Sequence, residues 1–157
     1  MKRGLQVLFI CCGLLTAMFV RVGQSEAALG GPADSVEADS KVLAAVRHSV
    51  AAHKGYTIQE ISSEVVTVRE YVSSSGIVFG IAWNGLIHPD LTQLLGLYAG
   101  QYQEALKRAQ RTPGQRRLKV KTSGGVVVEK WGHMRNLQGR AYLSALMPAG
   151  VSVNEIR

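Results

Sequence analysis

Two glycine-bounded stretches near the end of the chain hold the side chains best suited to chemistry. Gly132-His133-Met134-Arg135 and Gly139-Arg140-Ala141-Tyr142 bring an imidazole, two guanidiniums and a phenol close together in sequence. A guanidinium grips a carboxylate or phosphate through paired hydrogen bonds, and an imidazole changes charge near neutral pH. Flanking glycines let the backbone turn sharply or approach a ligand closely. The pattern predicts a ligand-binding site for a carboxylate or phosphate at His133, Arg135, Arg140 and Tyr142. The same residues also suit a plain hairpin whose polar groups satisfy local backbone or pair with Glu70 or Glu129.

A second cluster is purely cationic. Lys107, Arg108, Arg111, Arg116, Arg117, Lys119 and Lys121 follow one another with no acidic residue among them. They predict an anion-binding face. Cations at a helix end also complement its dipole, and lysines on an edge strand discourage sheet-to-sheet association. No aromatic residue is interleaved, so the run lacks the stacking platform that single-stranded nucleic acid uses. Arg69, Glu70 and Tyr71 lie mid-strand. Arg69 and Tyr71 share one face and Glu70 falls among valines on the other, where a carboxylate needs a cation or a shifted pKa. Trp83 and Trp131 read as core or rim aromatics.

Other chemistries have no residues to carry them. His48 and His53 point about 140° apart on a helix, and His88 and His133 are isolated. No HExxH, CxxC or EF-hand spacing occurs, so no metal is expected. There is no GxSxG elbow and no glycine-rich phosphate loop, and no cofactor is implied. Both cysteines, Cys11 and Cys12, sit inside an N-terminal apolar run.

That run has the order of a secretory signal peptide: Met1-Lys2-Arg3, an uncharged stretch over Val7–Val20, then small residues up to Ala27. It predicts cleavage after Ala27, removal of both cysteines, and a periplasmic or secreted domain over residues 28–157. The alternative is a retained membrane anchor, since the uncharged run between Arg3 and Arg21 sits at the lower edge of the roughly 17–25 residues a spanning helix needs. The whole chain carries a net charge of +7. In an exported domain that charge favours an envelope protein or an acidic polymer over nucleic acid. No residue pattern sets an oligomeric state.

The elements that must position these groups follow from periodicity. Residues 28–32 read as a flexible lead-in. Asp34 and Glu37 have capping-box spacing, and Val36, Leu43, Val46 and Val50 then predict a first helix over 35–53, stopped by Gly55. Tyr56-Thr57-Ile58, the alternating Val65–Val72 and the run Ile77, Phe79, Ile81, Trp83 predict a three-stranded antiparallel meander. Asp90 caps a second helix with an apolar stripe from Leu91 to Ala109, in which Gly96 and Gly100 imply close packing or a bend. Residues 118–121, 126–131 and 140–143 read as further strand. The expected fold is an α+β domain in α-β-β-β-α-β-β order, with an antiparallel sheet of about five strands and two helices packed on one face.

Several short stretches, in order along the chain, resemble an exported bacterial family catalogued as domain of unknown function 2844. They are Ala28-Leu29-Gly30-Gly31, Val68-Arg69-Glu70-Tyr71-Val72, Val78-Phe79-Gly80-Ile81-Ala82-Trp83, Pro89-Asp90-Leu91 with Leu94-Leu95-Gly96, Gly132-His133-Met134-Arg135, Gly139-Arg140-Ala141-Tyr142, and Pro148-Ala149-Gly150-Val151 with Glu155-Ile156-Arg157. The resemblance implies an exported single domain and brings no activity with it. The functional expectation is therefore a non-enzymatic accessory or binding domain that engages an anionic envelope component through its basic face. A small hydrolase or transferase using His133 with Arg135 and Arg140 is the runner-up. A structural module that joins others through a sheet edge is the third reading.

Overall fold

A computed structural model of the chain describes residues 29–33, 46–109 and 114–157. The signal segment 1–27, the Asp34/Glu37 cap and Arg111 lie outside the described residues. The strands are β1 (Val46–His53), β2 (Tyr56–Ser62), β3 (Val66–Ser73), β4 (Val78–Gly85), β5 (Leu118–Lys121), β6 (Val126–His133) and β7 (Asn136–Leu143). Between β4 and β5 runs one helical segment, α1 (Leu91–Leu95), a 3-10 turn (Gly96–Tyr98) and α2 (Ala99–Arg108). No helix among the described residues is long and apolar enough to cross a membrane.

All seven strands form one antiparallel sheet in the order β1-β2-β3-β4-β7-β6-β5. It consists of two meanders, β1 to β4 and β5 to β7, that meet where β4 pairs with β7. This corrects the five-stranded sheet with two packed helices. The expected helix over 35–53 is strand β1 from Val46 onward, paired to β2 from Val46↔Ser62 to His53↔Tyr56. The difference has a physical cause. Val46 and Val50 satisfy period 2 as well as a helical spacing, and valine favours strands. Gly55, read as a helix stop, adopts φ 91 in the Lys54–Gly55 hairpin turn, a conformation that helix ends and tight hairpins both demand of glycine.

The helical segment covers one face of the sheet. Leu91, Leu94, Leu95, Ala99 and Tyr102 pack against Val68, Ile81, Trp83, Val126, Val128 and Leu143. Asp90 caps α1 by accepting from the Thr92 N–H at 2.8 Å. The buried Trp83 donates its Nε1–H to His88 Nδ1 at 2.9 Å, which fixes the approach to the helix. The chain bends at Gly96, whereas a side chain at Gly100 would meet nothing, so Gly100 reflects no close packing. The lead-in is held rather than loose. Leu29 is buried in this core, and Gly30 N–H donates to Val78 O at 2.8 Å.

The opposite face is covered by the final segment, residues 144–157. Ile156, Val151, Val153 and Met147 pack on Tyr56, Tyr71, Phe79, Val127 and Tyr142. Phe79 belongs to this face, not to that of Ile81 and Trp83. A bulge opposite Tyr71 and Val72 inserts one residue into β4 and turns Phe79 over. Ile156 is fully buried and seats on Gly80, where an added Cβ would lie 2.8 Å from its Cδ1. Tyr71 Oη donates to Arg157 O at 2.8 Å and accepts from Arg157 N–H at 3.0 Å.

Candidate functional site

On the face under the final segment, strand register lines up a charged row. Glu60, Arg69, Ala82, Arg140, Glu129 and Lys119 are successive cross-strand partners. Arg69 donates to Glu60 at 2.8 Å and to Asn84 Oδ1 at 3.0 Å. At the other end of the row, Glu129 is 3% exposed and receives Arg117, Lys119 and Arg140 at 2.8, 3.0 and 2.8 Å. Burial alone would raise its pKa. The hydrogen bonds from Lys119, Arg117 and Arg140 outweigh burial and hold it at about 2. Arg140 also donates to Val153 O at 2.7 Å, tying the final segment to the sheet. Arg117 and Arg140 lie over the Trp131 ring at 5.3 and 5.7 Å, and Trp131 Nε1–H donates to Gln138 at 2.9 Å. Glu129 is a structural hub whose partners are already satisfied.

The four residues of the glycine-bounded stretches therefore do not form one site. Arg140 and Tyr142 share a face, with the guanidinium 5.9 Å from the ring centroid. His133 and Arg135 are exposed at the β6–β7 turn, where Arg135 takes φ 67 and His133 Nδ1 contacts Met134 O at 3.3 Å. The hairpin is thus a turn whose Arg140 pairs with Glu129, and among the described residues the His133 ring hydrogen-bonds only to its neighbour's carbonyl. Glu70 is buried on the helix side, cross-strand from Gln59 and Ile81.

The basic run divides by role. Arg117 and Lys119 serve Glu129, and Lys107 pairs with Glu104 at 2.8 Å. Arg108, Arg116 and Lys121 are exposed and form no ion pair within 4 Å among the described residues, although the charge of Arg108 contributes to lowering the pKa of Glu104 one turn before it. Arg108 and Lys121 border an open groove of about 600 Å³ between α2 and β5, with Gln101, Glu104, Ala105, Ala109, Lys119, Val120 and Ser123. The groove forms because α2 packs beside the sheet's last strand, and among the described residues no further strand follows β5. Its end is closed by Gln101 Oε1, which accepts from the Gly124 N–H at 2.7 Å and Ser123 Oγ–H at 3.2 Å.

Residues 25–156 match the family model described as "Protein of unknown function (DUF2844)". The chain belongs to this family. No match was found among curated proteins or among solved structures. In this DUF2844 chain the groove joins two parts of the basic run that are separate elements in space, which the sequence pattern does not show. Gln101 and Ser123 carry no signal of their own in the sequence. Their contact spans the whole helix-to-hairpin connection, and only the packing of α2 on the sheet reveals it.

Proposed function

We propose that the chain is a non-catalytic, exported binding domain that holds an anionic component of the cell envelope through the groove between α2 and β5. The observation that carries this reading is the placement of Arg108 and Lys121, cations in no close ion pair among the described residues, beside an open groove whose lining holds one carboxylate, Glu104, against Arg108, Lys119 and Lys121. Arg116 adds to the same edge from the residues just before β5. Natural counter-ions for such a face are carboxylates or phosphates of an acidic polymer. The exported placement is argued from the N-terminal segment and makes an envelope component the relevant partner.

The test is equilibrium binding of the full chain to polyglutamate and to polygalacturonate, at low and at physiological salt. Arg108→Glu, Arg116→Glu and Lys121→Glu together reverse the charges that form no close ion pair and leave the cations that serve Glu129 in place. The reading expects binding that weakens with salt, because exposed charges are screened beyond roughly 8 Å at physiological ionic strength. It also expects loss of binding in the triple variant. Salt-independent binding that survives charge reversal overturns it.

A further inference from the structure

The groove has a second property besides charge. The Thr122 N–H donates to Val126 O at 2.8 Å, and the register continues unbroken through Val120↔Val128 and Leu118↔Lys130. In an antiparallel pair, hydrogen-bonded and non-bonded positions alternate. Leu118 and Val120 therefore spend their backbone groups on β6. Lys119 and Lys121 turn their N–H and C=O groups outward, to the side where no strand follows among the described residues. No hydrogen bond to those outward groups occurs among the described residues. They border the groove, while the two lysine side chains leave the strand on the face of Glu129, opposite the half-buried Leu118 and the buried Val120.

We infer that the anionic ligand is an acidic polypeptide segment that adds to the free edge of β5 as an extra strand. This rests on the binding reading above and names its partner. Strand addition would satisfy the outward N–H and C=O groups of Lys119 and Lys121. Alternate side chains of the added segment then fall on two faces. On one face they stand opposite Lys119 and Lys121, where acidic residues are favoured and cations are repelled. On the other they face Ala105, Ala109 and Val120 across the groove, where small apolar residues fit. The segment is thus one that alternates acidic with apolar residues. A second copy of this edge is a poor occupant, since pairing β5 with itself sets lysine against lysine. A polysaccharide would meet the cations but has no backbone amides for the open ladder.

The experiment measures fluorescence anisotropy of a labelled alternating Glu-Val octapeptide against the full chain. Two matched peptides, one N-methylated on the Glu amides and one on the Val amides, so that each is blocked along one edge, serve as controls, with polygalacturonate as a further probe. N-methylation keeps every charge and removes the ladder donors along that edge. The inference expects the unmodified peptide to bind and one of the two methylation patterns, the one that blocks the bonding edge, to weaken it by about tenfold or more, the effect of losing two backbone hydrogen bonds. Equal binding of peptides methylated on either edge overturns the added strand and leaves the basic groove standing. Binding of polygalacturonate without the peptide does the same. Failure of every probe to bind overturns the groove reading itself.

Discussion

Replacing Glu129 with glutamine tests the physical account of the sheet's polar face. Glu129 is held at about 2 against an ordinary value of 4.5. Each pH unit is worth 1.36 kcal/mol, so the ionised carboxylate contributes roughly 3 kcal/mol to folding. Because the folded pKa lies below the unfolded one, this contribution is complete above about pH 4.5 and is lost as pH falls toward about 2. Glutamine keeps the shape and one acceptor but removes the charge. Arg117 and Lys119, at 58% and 61% exposed, can return to water, whereas Arg140, at 11%, keeps a guanidinium without its counter-charge. Glu129→Gln should therefore lose roughly 3 kcal/mol at neutral pH, at the lower end of what breaking a buried pair costs. Urea unfolding across a pH series is the assay. The wild-type curve should fall more steeply than the variant's between pH 4.5 and 2, and the two should converge at the acid end. Some slope remains in both, since Ser152 lowers the Glu155 pKa and Lys107 lowers that of Glu104. A variant with the wild-type slope, or a loss below about 1 kcal/mol, refutes the reasoning.

Ile156→Ala empties the seat on Gly80, and by the cost of truncating a buried isoleucine should remove about 2–5 kcal/mol of stability. Limited proteolysis should then cut within residues 144–157 before it cuts the sheet; simultaneous cleavage of both would argue against a separately docked segment. His88 has a lowered pKa, first from burial and then from Lys130. Its contribution is present above the ordinary value of 6.5 and is lost as pH falls through the folded pKa. Acidification should therefore weaken the Trp83 hydrogen bond and shift Trp83 fluorescence in a Trp131→Phe background. His88→Gln should remove that pH response, and an unchanged response would reject the link.

The antiparallel meander was legible because Val66, Val68 and Val72 alternate cleanly with Thr67, Arg69 and Tyr71. The helix after Asp90 was legible for the same reason, through a cap followed by an apolar stripe. Two features defeated periodicity. Val46–His53 offers a pattern that fits two periods, and its glycine suits both a helix end and a hairpin. The bulge in β4 moves Phe79 across the sheet by a single inserted residue, which no alternation rule anticipates. The candidate site was legible only as composition. The basic run was visible, but which cations serve Glu129 and which border a groove depends on strand register. The pairing of Arg140 with Glu129 was one of two partners the residues allowed, and Gln101 and Ser123 had no sequence signal at all.

The proposed binding of an anion between α2 and β5 would leave a local signature on the backbone amides there. Amide chemical-shift mapping on the isotope-labelled chain, titrated with polyglutamate at low salt, tests it directly. Saturable shifts are expected to concentrate at Gln101, Arg108, Lys119, Lys121, Ser123 and Gly124, with the β6–β7 turn at His133 and Arg135 unmoved. Shifts centred on His133 and Arg135, or spread evenly over every exposed cation, would contradict it.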